Sequence, residues 1–388
     1  MNSSMSACPG IHFFPRSIFL RVAVVFFLFG CSKNPVFIDG QQTEPIAVST
    51  APIHQFIVPS TGWNGDLMVY AHGFVPPIAP VTLPAEAAKF ATIASSEGYA
   101  FATTSYPSNG MVVTEGLTDL VNLVAEFRNN YPETGRVFLL GVSMGGLIAA
   151  QAAEKYPGTF DGVLAICGIY GSYPVEIVYI TNFRTVFDYF FPDLLPGDAV
   201  NVAFQTMLEW NTVYIPKVVA ACSAPENGNK VRQLIAVTKL PANMADPASV
   251  VQSIVEVLSL GIYVTEDVKS QLGGQPFGNH LLWYHGSDDD CALNAGIKRY
   301  QADPNALAAS IRLFGTTGNI KMPVVTLHNR GDNLAPVIQQ ALYGIKVMLA
   351  GKSSRYKAIT LNAYGHSNFS PEQIQSAFQM LVAKTMTP

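Results

Sequence analysis

Leu139-Leu140-Gly141-Val142-Ser143-Met144-Gly145-Gly146-Leu147 decides how the rest of this chain is read. The stretch holds the pattern Gly-x-Ser-x-Gly. It is entered from the apolar, strand-like run Arg136-Val137-Phe138-Leu139-Leu140 and left through an alanine-rich, helix-like run from Leu147 to Tyr156. Strand, tight turn and helix in that order are the context of a nucleophile elbow. Such a turn forces the serine into a strained backbone conformation, so the residues two positions away on each side must be very small. Gly141 and Gly145 meet that need, and Gly146 adds room for close packing. The Ser143 hydroxyl is then expected to stand at a helix N-terminus, where backbone N–H groups favour negative charge.

Strands and helices alternate on both sides of the elbow. Strands are expected at Ile53–Val58, Leu67–Ala71, Tyr99–Thr104 and Gly162–Cys167, with helices at 84–96 and about 114–130. The near-continuous apolar character of Leu67–Ala71 is that of a strand covered on both faces. The rhythm breaks after Gly168. From about Ile169 to Ile320 the chain is aromatic and apolar, with helix-like pieces and no regular alternation. It resumes with the strand Met322–His328, a helix from about Leu334 to Leu349, the strand Tyr356–Leu361 and a closing helix capped by Ser370-Pro371-Glu372-Gln373. The fold class is therefore α/β: a mostly parallel central sheet with helices on both faces and an inserted, mainly helical cap. The expected core comprises residues 51–168 and 321–388, and the cap 169–320.

With 388 residues, 49% of them apolar and only 13% charged, the chain can bury a large core. The formal charge of −4 and the absence of a basic stripe argue against nucleic acid as a partner. The N-terminus reads as a targeting segment. Arg16 and Arg21 precede the apolar run Val22–Phe29, then Gly30-Cys31-Ser32. The run is too short for a stable membrane-spanning helix, and it fits a secretory signal over residues 1–30. Leu28-Phe29-Gly30-Cys31 resembles a bacterial lipobox, which makes Cys31 the expected lipidated first residue of the mature chain. Residues 31–50 read as a linker. The expected location is outside the cytoplasm, on the outer membrane or cell surface of a bacterium, with the lipid anchor as the membrane contact. Export permits a disulfide. Of the remaining cysteines, Cys167 sits in a strand-like run and reads as a small buried hydrophobe, and Cys222 with Cys291 is the preferred pair. No Cys/His cluster has metal-ligand spacing, so no metal is expected.

A serine nucleophile needs a base within hydrogen-bond reach and an orienting group behind that base. His366 lies in the loop after the last strand and is the expected base. Asp332, in Gly331-Asp332-Asn333 after the preceding strand, is the expected orienting acid. His72 reads as support for the turn below Phe74, His328 as core, and His280 and His285 as cap residues. Asp288, Asp289 and Asp290 read as a solvated or capping turn. The oxyanion donors are expected to be the backbone N–H groups of Met144 and Phe74. Phe74 and Tyr106, the latter in the Ser105–Gly110 loop, are the expected pocket contacts.

His72-Gly73-Phe74, Gly141-x-Ser143-x-Gly145 and the Asp332 and His366 loops together resemble the α/β-hydrolase superfamily, whose triad follows the same chain order. The resemblance runs from about residue 53 to the end, the cap excepted. Within the superfamily the chain is similar to secreted bacterial serine esterases with a helical lid. It departs from the longer His-Gly-Gly-Gly loop of some lipases and esterases, which implies a tighter oxyanion loop. The resemblance implies hydrolysis of a carboxylic ester, small or polymeric, through an acyl-enzyme and with no cofactor; the aromatic cap suggests an apolar acyl or aryl part. A peptidase or aminopeptidase of the same fold and a non-catalytic surface lipoprotein are the competing readings. The sequence is silent on oligomeric state.

Overall fold

The computed structural model describes residues 51–386. The targeting segment, Cys31 and the linker lie outside the described residues. Seven strands form one sheet: β1 (His54–Ile57), β2 (Leu67–Ala71), β3 (Ala100–Thr104), β4 (Val137–Val142), β5 (Gly162–Ile166), β6 (Val324–Gly331) and β7 (Tyr356–Tyr364). Their order is β1-β3-β2-β4-β5-β6-β7, with β1 antiparallel to β3 and every other pair parallel. The mostly parallel sheet expected from the sequence is the one found.

The alternation of side chains along β2 shows why its whole sequence is apolar. Leu67, Val69 and Ala71 join one core, and Met68 and Tyr70 join the core on the other face. Helices α2 (Val113–Asn130) and α3 (Met144–Lys155) cover the first face. Helices α1 (Ala87–Ser96) and α12 (Pro371–Thr385) cover the second. Helix α11 (Ile338–Leu349) adds Tyr343 and Val347 to the first. Helix α12 begins with the expected cap. The Ser370 side chain accepts from the Gln373 N–H, and the Gln373 side chain reaches back to the Ser370 N–H, a reciprocal capping box.

Between β5 and β6 the chain forms α4 (Tyr173–Phe190), α5 (Phe204–Glu209), α6 (Ile215–Ser223), α7 (Gly228–Thr238), α8 (Pro247–Leu272), α9 (Asp290–Gly296) and α10 (Pro304–Phe314). A π-helical turn, Trp210–Tyr214, joins α5 to α6. These helices build a separate apolar core of Phe183, Phe187, Trp210, Leu234, Ile254 and their neighbours. The aromatic residues of this stretch are therefore spent on packing. Helix α8 is long and apolar enough to cross a membrane by length and composition, but Ile254, Val257, Leu258 and Ile262 are in the cap core. Asp289 caps α9, as a capping turn requires, and Asp288 pairs with Arg232 on the surface.

The expected Cys222–Cys291 pair is not made. Cys222 is a free thiol buried in the same apolar core as Val218 and Trp210. Its position on the apolar face of α6 gives it the role of a small hydrophobe.

Strand order places the important loops side by side. The chain runs outward from β2 to β3, then returns to lay β4 on the other side of β2. That reversal is a topological switch point, where the loops at the strand C-termini leave a crevice. Ala71 at the end of β2 pairs with Gly141 near the end of β4. The loop carrying Phe74 and the turn carrying Ser143 consequently share one edge.

Candidate active site

Ser143 follows β4 directly, with φ 58° and ψ −120°. A non-glycine residue at positive φ costs free energy that the surrounding structure must offset. Its N–H donates to the Ile166 carbonyl at 2.9 Å, and its own carbonyl accepts from Gly146 at 2.9 Å. Close packing locks the turn. A Cβ on Gly141 would stand 2.0 Å from the Gly145 carbonyl oxygen. A Cβ on Gly145 would stand 2.1 Å from the Ala71 carbonyl oxygen. The glycine spacing read in the sequence is thus a steric necessity of the turn.

Asp332 follows β6 and is fully buried. Its Oδ1 accepts from the N–H groups of Leu334 at 3.0 Å and Ala335 at 2.9 Å. His366 lies in the loop after β7, and its Nδ1 is 2.9 Å and 3.0 Å from the two Asp332 carboxylate oxygens. That leaves Nε2 to exchange a proton. The loop is tied down from β6: Asn329 donates to the carbonyls of Gly365 at 3.0 Å and Asn368 at 3.2 Å, and the Gly365 N–H donates to Gly331. Burial opposes charge on His366, but the charge of Asp332 and its hydrogen bond outweigh it, with a further contribution from Glu256, so its pKa is raised above the usual 6.5.

The other histidines have different duties. His328 is fully buried, with Nε2 2.7 Å from the Ala335 carbonyl and Nδ1 3.1 Å from the Tyr170 hydroxyl. Burial lowers its pKa despite Asp332 nearby. His72 holds the Gly73 carbonyl through Nδ1 at 2.7 Å and stacks on Tyr106 with centroids 4.0 Å apart. It supports the turn. His280 and His285 are exposed.

Ser143, Met144, Phe74 and His366 all line one cavity of about 390 Å³. Most of its wall is apolar, with Phe90, Ile169, Ile180, Leu260 and Val264 among the contributors. Met144 is the first residue of α3, so its N–H has no acceptor within the helix. Tyr106 does not reach the cavity. It is fully buried beneath the donor loop, its hydroxyl donating to the His72 carbonyl at 3.3 Å. Stacking on His72 draws the ring inward, and the Ser105–Gly110 loop supports the Phe74 loop through a Gly110 to Val75 hydrogen bond.

Three residues went unnoticed as site residues in the sequence. Cys167 follows β5, between the elbow and the Asp332 loop. Its Sγ, an Asp332 oxygen and a His366 ring nitrogen lie within 4.8 Å of one another. Burial, reinforced by the Asp332 charge, pushes the thiol pKa well up, so it stays protonated beside the carboxylate. Tyr173 and Glu176, both on α4, line the cavity. Their only sequence signal is a polar pair in an aromatic run directly after a core strand.

A family model described as serine aminopeptidase, S33, matches residues 112–302. That span includes Ser143 and most of the cap and ends before Asp332. No curated protein matches the chain. Among solved structures, the chain is similar to an esterase of Pyrococcus furiosus at 14% identity and TM-score 0.44, covering 87% of this chain and 92% of that one. It is similar to a monoacylglycerol lipase of Paleococcus ferrophilus at 15% identity and TM-score 0.42, covering 86% and 100%. It is similar to an acylaminoacyl peptidase of Pyrococcus horikoshii at 12% identity and TM-score 0.43, covering 85% of this chain but only 38% of that one.

Proposed function

We propose that this chain, a hydrolase of the α/β-hydrolase superfamily, cleaves carboxylic esters with an apolar acyl or aryl part through an acyl-enzyme. The observation that carries the reading is that Ser143, strained at φ 58°, opens onto the same apolar cavity as a histidine held by a buried aspartate. In this reading His366 takes the Ser143 proton through Nε2 as Oγ attacks the ester carbonyl. Asp332 holds the imidazole and stabilises its charged form. The N–H groups of Met144 and Phe74 receive the oxyanion, each such donor being worth about 2.7–4 kcal/mol. His366 then returns the proton to the leaving alcohol. Water, activated by the same histidine, attacks the acyl-enzyme and frees the acid and Ser143.

A peptidase reading takes support from the family match over residues 112–302. The mainly apolar cavity favours the ester. Turnover of p-nitrophenyl esters against aminoacyl anilides separates the two. Fluorophosphonate labelling tests the shared chemistry: label on the wild type and none on Ser143→Ala supports it. Folded wild-type protein that takes no label overturns it and leaves a binding protein.

Export and lipid attachment at Cys31 are part of the same reading, supported by the N-terminal pattern. Metabolic labelling with a palmitate analogue should mark the wild type and not Cys31→Ser. Unlabelled wild type in a bacterial host would sink the anchor.

A further inference from the structure

The first turn of α4 forms part of the cavity wall, at the point where the cap leaves the core. Tyr173 and Glu176 are three residues apart and so share a helix face. Each is only 2% exposed, and both line the cavity. The Tyr173 hydroxyl and Oε1 of Glu176 have no hydrogen-bond partner. A buried polar atom without a partner keeps the full cost of its lost hydration. Two of them on one turn of a helix that borders an apolar cavity call for an explanation, and a ligand group supplies one.

We propose that Tyr173 and Glu176 form a subsite for an uncharged hydroxyl group carried by the ester substrate, away from the scissile bond. The inference rests on the ester-hydrolase reading for the cavity's role. Burial raises the Glu176 pKa to about 8, although Gln339 partly opposes it. At neutral pH the group is therefore a carboxylic acid. Its Oε2 accepts from Gln339 at 3.0 Å, on the side where Glu176 borders a smaller cavity. Its free oxygen and the phenol together offer a donor and an acceptor. A hydroxyl answers both at once, whereas an ether or carbonyl answers only the donor. An ammonium group would need the carboxylate, which neutral solution does not supply here.

The pair is held in advance of binding. Gln339 is fully buried, accepts from the Ser172 N–H at 2.7 Å and donates to the Ser172 carbonyl at 3.1 Å. Gly171 permits this approach, since a Cβ there would stand 2.3 Å from the Gln339 carbonyl oxygen. The Tyr173 ring packs on Phe314, with centroids 4.7 Å apart. Little ordering is left for the ligand to induce.

The test uses the full chain with Ser143→Ala, and calorimetry with methyl octanoate, its positional hydroxy derivatives and its ω-amino derivative. At pH 7 at least one hydroxy ester should bind on the order of tenfold tighter than the plain ester, a factor that corresponds to about 1.4 kcal/mol. Tyr173→Phe and Glu176→Leu should each remove the advantage. The advantage should shrink as pH rises through about 8, where Glu176 ionises, and Glu176→Gln should keep it at every pH. Equal binding of hydroxy and plain esters, equal losses for both in the variants, or tightest binding of the amine would each overturn the subsite. A hydroxyl preference in a chain whose wild type takes no fluorophosphonate and turns over no ester would overturn the ester-hydrolase reading alone.

Discussion

Cys167 lies against Asp332, its sulfur within 4.8 Å of both a carboxylate oxygen of that residue and a ring nitrogen of His366. The strand order produces this neighbourhood. β5 stands between β4 and β6, so the residue that ends it falls between the elbow and the acid. A thiol held protonated there can donate weakly to the carboxylate without adding charge. Cys167→Ala should lower kcat/KM several-fold and move its acid limb upward, because Asp332 loses a competing donor and acts more fully on His366. Thiol reagents should leave Cys167 unmodified in the folded protein. Modification at the rate of a free thiol would contradict its burial and protonation.

The pH profile tests the pair Asp332 and His366 directly. The base works neutral, so ester turnover should rise with pH along a limb set above 6.5, the ordinary histidine value. Asp332→Asn removes the charge that raises it and leaves burial, which lowers it. The limb should move down while kcat falls by roughly 10³–10⁴-fold. A limb that stays put in the variant would mean that Asp332 does not set the histidine.

The elbow glycines give a steric prediction. Gly145→Ala places a methyl 2.1 Å from the Ala71 carbonyl oxygen, and Gly141→Ala places one 2.0 Å from the Gly145 carbonyl oxygen. Neither obstacle is a flexible side chain, so each variant should lose several kcal/mol of stability and most ester turnover. Gly158→Ala meets nothing within 4 Å and is the control. Thermal unfolding and soluble yield of the three check the claim.

Glu176 makes stability depend on pH. Its carboxyl titrates near 4.5 when exposed and at about 8 in the fold. As pH rises the unfolded chain gives up this proton first, so the folded state loses relative stability across that window and no further above it. Below about 4.5 no such loss applies. Glu176→Gln removes the slope, so wild type should lose a few kcal/mol relative to the variant between those limits. Denaturant unfolding at pH 5 and pH 8.5 measures it, and parallel curves would refute it. His366 slopes the same way, since its folded pKa is also raised, but it is common to both proteins and cancels.

The sheet was legible because a strand covered on both faces must be apolar throughout, and β2, β4 and β5 are. The glycines around Ser143 were legible because the turn admits nothing larger. Asp332 and His366 were legible as strand-end loops in a fixed chain order, and the structure joins them by hydrogen bonds. The helices between β5 and β6 were legible only as a break in rhythm. Their aromatic residues serve an interior of their own, and a lone chain gives no means of pairing them. Tyr106 was misplaced because nothing local shows that His72 will draw its ring beneath the loop. Cys222 was misplaced because an apolar helix face looks the same whether its cysteine is bonded or buried alone. Tyr173 and Glu176 escaped notice because the contact that fixes them comes from Gln339, 163 residues from Glu176.

That contact also ties the start of α4 to the core. Gln339 belongs to the helix just beyond Asp332, and it grips the backbone of Ser172 on both sides as well as the Glu176 carboxyl. A cap that swung as a rigid door about Ser172 would have to break these three bonds together. The doorpost is riveted to the frame. The α4 turn is fixed masonry against which a ligand is measured.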